Sequence, residues 1–263
     1  MRIRATVAAV SGALALSAFA VPAAHAAAAA PNVTFSNVKV NKAKAMVVGT
    51  KKTAVTVTYT LTHPANVSIA PDKLGTGPIL YRGSSLTDRT AAFGSDEPGT
   101  CKAASTTVAN CTATMYFRPT VADEIANADA GTWNVGGVAV TAGGAIKWQG
   151  GLGTTKLQRA SKLTVNAAPE PVKKGKTITV TGALTRADWQ TGKYTGYTGQ
   201  SVKLQFKKKG ASTYTTVKTI KTTSGGALKT TVTASVDGTF RYSFAGTTTT
   251  PAVSATGDYV DVQ

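Results

Sequence analysis

The sequence predicts an all-β protein built from two tandem antiparallel β-sandwiches behind a cleaved leader. Three observations predict it. The phrase Gly131-Thr132-Trp133-Asn134-Val135 recurs 107 residues later as Gly238-Thr239-Phe240-Arg241-Tyr242, and that offset is about the length of one immunoglobulin-like sandwich. Apolar and polar residues alternate with period two through both halves, the pattern of a strand with one buried face. Gly-containing turns separate these runs, as in an antiparallel sandwich.

In chain order, Arg2 and Arg4 precede an apolar run from Val7 to Val21 that breaks at Pro22. The run is short for a membrane span. Ala24-His25-Ala26 places small residues before a cut, so residues 1–26 read as a signal peptide cleaved after Ala26. No Cys follows the run and no Leu-Pro-x-Thr-Gly sorting signal follows later. The expected mature chain is secreted, or held loosely at the cell wall, with no transmembrane segment after signal removal.

The first domain is expected over residues 27–160. Val55, Val57, Tyr59 and Leu61 alternate with Thr56, Thr58 and Thr60, and Ala113, Met115 and Phe117 continue the phase of Cys111. Cys101 and Cys111 are the only cysteines. In an exported protein they read as one disulfide, facing inward from the Cys111 strand. Thr120 is read as the cap of a helical turn over Val121 to Ala130, with Asp123 in its first turn and Gly131 as its stop.

The second domain is expected over residues 161–263. Lys162 to Val165 opens a strand, and Pro169-Glu170-Pro171 then breaks pairing. Ile178, Val180 and Leu184 form the next run, followed by Val202, Leu204 and Phe206, then Leu228 and Val232, then Phe240, Tyr242 and Phe244.

The second half resembles the C-terminal repeat of a family of exported proteins from high-GC Gram-positive bacteria. The resemblance is carried by Arg159 to Asn166, Pro169-Glu170-Pro171-Val172-Lys173-Lys174-Gly175, Val202 to Phe206, and the ending Gly257-Asp258-Tyr259-Val260-Asp261-Val262. It covers most of residues 161–263. The first half is similar more loosely, through its Cys pair and Gly131-Thr132-Trp133. The resemblance implies export and two immunoglobulin-like domains. Some members are labelled calcium-binding, with no ligand motif to map onto this chain.

The chemistry-bearing residues are few. His25 leaves with the leader, so His63 is the one mature histidine, and it reads as a solvated loop residue beside Pro64 rather than a triad base. One His and two bonded Cys make no zinc site. No nucleophile elbow, phosphate-cradling loop or paired catalytic carboxylates appear. The chain reads as a non-enzyme without a required cofactor. Calcium remains a candidate. Asp123, Glu124 and Asp129 precede the sixth strand of the first domain, and Asp188 lies in the loop Arg186 to Gly199, so the four could converge where the domains meet. Capping and ion pairing with Arg186 or Lys193 are nevertheless the favoured reading.

The same loop carries Trp189, Tyr194 and Tyr197, which either stack on a sugar or partner protein or cover the end of the sandwich. Lys207, Lys208 and Lys209 read as a hairpin tip, either a polyanion contact or edge-protecting lysines.

With 29 basic and 12 acidic residues the net charge is +17, and loss of Arg2 and Arg4 with the leader takes it to +15. Residues 27–160 hold 13 basic and 7 acidic residues, and residues 161–263 hold 14 and 5. A strongly basic exported chain is attracted to polyanions such as anionic wall polymers and acidic polysaccharides. The absence of any reading motif excludes nucleic acid as the expected partner. The expected role is a secreted, non-catalytic binding or structural protein of the cell envelope. A calcium module and a carbohydrate-binding module are its alternatives.

Overall fold

The computed structural model describes residues 29–122 and 124–263. The leader and Asp123 lie outside the described residues. Twenty strands run in chain order: β1 (Thr34–Val40), β2 (Met46–Val48), β3 (Thr53–Thr62), β4 (Leu74–Gly83), β5 (Arg89–Gly94), β6 (Thr100–Ala103), β7 (Val108–Phe117), β8 (Gly131–Thr141), β9 (Ile146–Gln149) and β10 (Thr154–Arg159). There follow β11 (Ser161–Leu163), β12 (Asn166–Ala168), β13 (Thr177–Asp188), β14 (Lys193–Gly196), β15 (Ser201–Lys208), β16 (Thr215–Lys221), β17 (Ala227–Thr233), β18 (Gly238–Phe244), β19 (Val253–Ser254) and β20 (Asp258–Val260). The protein is all-β, with only short 3-10 turns as helical structure among the described residues.

The chain divides into two compact units. The first comprises the described residues up to Lys44 with Ala54–Tyr116 and Trp133–Thr155. The second comprises Ala45–Thr53, Phe117–Thr132 and Lys156–Gln263.

In the first unit one sheet runs β1-β3-β7-β6, and β5, β4, β8 and β9 pair in that order in another. Numbering the strands as in an immunoglobulin sandwich, these are the ABED and C′CFG sheets. Alternation is strict in β3, where Val55, Val57, Tyr59 and Leu61 are buried and Thr56 and Thr58 are exposed. Val33, Phe35, Tyr59, Leu61, Leu74 and Cys111 share one core cluster.

Cys101 and Cys111 are disulfide-bonded. They sit directly opposite each other on adjacent strands β6 and β7, so the bond staples a hairpin within one sheet. Cys111 faces the core, as the phase of its strand predicts, while Cys101 is half-buried.

In the second unit β13 pairs with β12 and β17 on its two sides, and β16-β15-β18-β19 forms the facing sheet with β20 also on β18. This is the ABE and C′CFG division of the same architecture. Ile178, Val180, Val202, Leu204, Leu228, Phe240, Tyr242 and Phe244 form its core. The short β2 pairs in parallel with β10, Met46 opposite Leu157.

The recurrent Gly-Thr-aromatic phrase opens β8 and β18, the F strand of each architecture. Trp133 and Phe240 are both buried. The glycines are needed for different reasons. Gly131 has φ of 134°, a conformation other residues rarely adopt. A Cβ on Gly238 would run into the Phe206 ring.

Candidate functional site

The helical turn expected over Val121 to Ala130 is not formed as drawn. Thr120 has φ of 70°, which is not the extended conformation of an N-cap. Its N–H donates instead to the Trp189 carbonyl at 2.7 Å. Among the described residues of this stretch, Asn127–Asp129 alone forms helical structure, a single 3-10 turn. Asp129 is buried and its Oδ2 accepts the Ala126 N–H at 2.7 Å, closing that turn from within.

The remaining expected carboxylates are each engaged locally in the second unit, to which residues 117–132 and Asp188 belong. Glu124 pairs with Arg118 at 3.2 Å. Asp188 Oδ1 accepts the N–H groups of Gln190 at 3.0 Å and Thr191 at 2.9 Å. Burial pushes the Asp188 carboxyl up, but hydrogen bonds from Thr191, Asn127 and Gln190 together outweigh it and hold the group below the usual carboxylate value. Among the described residues no three His, Cys, Asp or Glu side chains gather in a way that could hold a metal ion. Asp123, the fourth expected carboxylate, lies outside the described residues.

Trp189 does not stand in a stacking loop. It is 0 % exposed, its indole N–H donates to the Val48 carbonyl at 3.1 Å, and its backbone N–H donates to Asn127 Oδ1 at 2.9 Å. The indole is buried and its N–H is taken by a backbone carbonyl, so it is not offered to a ligand. Tyr194 and Tyr197 are half-buried. Each already has a cation over its ring, with Lys162 Nζ 4.0 Å from the Tyr194 centroid and Arg186 Cζ 3.9 Å from that of Tyr197. Tyr197 also meets Phe244 edge-on at 5.9 Å.

His63 is buried at 7 % exposure, not solvated. Its Nδ1–H donates to the Pro64 carbonyl at 3.0 Å. Its backbone N–H donates to Thr107 O at 2.9 Å. With Nδ1–H so engaged, Nε2 is left buried without a hydrogen-bond partner among the described residues, and it is burial that separates it from solvent.

The three lysines separate in space. Lys207 and Lys208 end β15, and period two sends them to opposite faces. Lys209 follows the strand, where its Nζ lies 3.1 Å from Asp237 Oδ2 and its N–H donates to Asp237 O at 2.9 Å. Hydrogen bonding to Asp237 holds the Lys209 ammonium above its usual value.

Lys207 belongs to a group that sequence reading passed over. Val202, Leu204, Phe240, Tyr242 and Phe244 point into the core, so the alternate positions Lys203, Gln205, Lys207, Thr239, Arg241 and Ser243 point outward. Gln205 lies opposite Arg241 in the β15–β18 register. Arg241 Nε donates to Gln205 Oε1 at 2.9 Å, and the guanidinium carbon sits 3.7 Å from the Tyr214 ring centroid. Lys207 Nζ approaches the same ring at 5.2 Å. The signal for this face is the polar half of the alternation, Lys203, Gln205 and Lys207 on β15 with Arg241 on β18, of which the lysine run marks only Lys207.

In the first unit, a shallow depression of about 620 Å³ lies on the outer face of the β1-β3-β7-β6 sheet. Lys39, Thr58, Thr60, Lys102 and Asn110 line it, a surface of hydroxyl, amide and ammonium groups.

No family model and no curated protein matches the chain. Solved structures with a loose likeness include dimeric latent PorU of Porphyromonas gingivalis, 9% identical over 88% of this chain and 20% of that one, TM-score 0.30. The Escherichia coli adhesin FdeC is 12% identical over 88% of this chain and 65% of that one, TM-score 0.34. The D00-D0 domain of intimin is 12% identical over 86% and 99% of the two chains, TM-score 0.28. The chain thus spans only part of the first two. At these scores the likeness carries nothing about ligand or activity.

Proposed function

We propose that the protein is an exported, non-catalytic binding or structural component of the cell envelope, held by charge to polyanionic wall or extracellular polymers. The observation that carries the reading is the net charge, +17 over the full sequence and +15 once Arg2 and Arg4 leave with the leader. A surface so biased gathers multivalent anions from solution, through a field that salt screens within about 8 Å at physiological ionic strength. The Cys101–Cys111 disulfide suits an oxidising compartment. A histidine base or a zinc site would draw on the one mature histidine, His63, which is buried, and on two cysteines that are disulfide-bonded.

Co-sedimentation with isolated cell walls, at rising salt and with calcium or chelator, tests this. The protein should pellet with walls at low salt and be released as salt rises, identically with and without calcium. Failure to pellet at low salt removes the polyanion reading. Pelleting that requires calcium would support a calcium module instead.

A further inference from the structure

We propose that the polymer is gripped by the outward face of the β16-β15-β18 sheet of the second unit, and that its ligand class is an extended phosphodiester chain. The proposal rests on the polyanion reading above and deepens it to one surface.

Three features of this face exceed general basicity. Lys203, Gln205 and Lys207 recur at every second residue of β15, about 6.6 Å apart, with Arg241 set across from Gln205. The three cations are therefore arrayed along and across one strand, a template for a polymer bearing one anion per short repeat. Lys221, opposite Ser201, extends the array toward the strand's start.

Second, Arg241 is held before any ligand arrives. Gln205 accepts from its Nε at 2.9 Å and Tyr214 supports its plane at 3.7 Å. The Nη groups are left as a fixed fork, the geometry that pairs with a phosphate oxygen edge, and little side-chain entropy is lost on binding.

Third, the outward strand positions of β15 and of its partner β18 carry no carboxylate. Asp237, in the turn leading into β18, accepts the Val262 N–H at 2.9 Å and pairs with Lys209. The hydrogen bond from Val262, and then that from Lys209, hold its carboxyl below the usual value. The acid is thus occupied at the edge, and the face itself stays uniformly cationic.

The test is direct binding of the full mature chain to a glycerol phosphate polymer, with polygalacturonate as a carboxylate polymer of comparable length. Lys203→Gln/Lys207→Gln/Arg241→Gln should weaken phosphodiester binding about tenfold or more and flatten the salt dependence by about two in log–log slope. Lys173→Gln/Lys174→Gln/Lys176→Gln removes the same charge from exposed positions elsewhere in the same unit and should change affinity less than about twofold. Equal weakening by both variants would overturn the assigned face while leaving the polyanion reading intact. No binding by the unaltered protein would overturn both. Tighter binding of polygalacturonate would overturn the phosphodiester assignment. Thermal melts accompany each variant. Should the triple variant not fold, the exposed Lys203→Gln and the charge-keeping Arg241→Lys replace it. Each should weaken phosphodiester binding, and unchanged affinity in both would overturn the proposal.

Discussion

The hydroxyl of Tyr242 donates to the carbonyl of Val180 at 2.9 Å, wholly inside the second unit. The two residues lie on facing sheets, so one hydrogen bond crosses the sandwich. Gly182 makes room for it, since a Cβ there would come within 2.9 Å of the Tyr242 ring. The first unit has a counterpart in the buried contact between the Tyr59 hydroxyl and Thr76 Oγ1 at 2.8 Å. Tyr242→Phe should cost about 1–2 kcal/mol, read as a lower denaturant midpoint with an unchanged slope.

The same residue sets an alkaline limit. Burial pushes the Tyr242 phenol up to about 12 from its ordinary 10.0. A folded-state value raised above the unfolded one gives stability that is complete below pH 10 and is lost as pH climbs toward 12. Unfolding midpoints measured between pH 9 and 12 should therefore fall, and Tyr242→Phe should shrink that fall.

The Cys101–Cys111 bond closes a loop of sequence separation 10. By loop-closure entropy its removal should cost about 2–3 kcal/mol. Chemical denaturation with and without reductant checks the size. The tryptophans offer a local readout, because Trp133 and Trp148 lie in the first unit and Trp189 in the second. The loss should appear in the first unit's transition.

Trp189→Ala should act as a core truncation, costing about 3–5 kcal/mol, with polymer affinity unchanged at temperatures where the variant is folded. Lost affinity in a fully folded variant would restore the stacking role that burial denies it.

The fold was legible where its determinants are local. Period-two alternation placed β3, β7, β15 and β18, and a repeated phrase marked both F strands. Phase alone turned Cys111 inward. What failed depended on distant partners. The Trp189 indole finds its acceptor on Val48, 141 positions away, and nothing near it in sequence announces burial. Thr120 looked like a cap by spacing, yet its N–H is taken by Trp189 O, 69 positions on. The Arg241 face was hidden for another reason. Its members are consecutive only across strands, so register, not sequence, assembles them.

The most direct test of the central claim is the affinity of the mature chain for a glycerol phosphate polymer across a salt series. Charge-driven binding predicts a straight, falling line of log affinity against log salt, with a slope proportional to the phosphates engaged. A flat line, or no measurable binding at low salt, would contradict it.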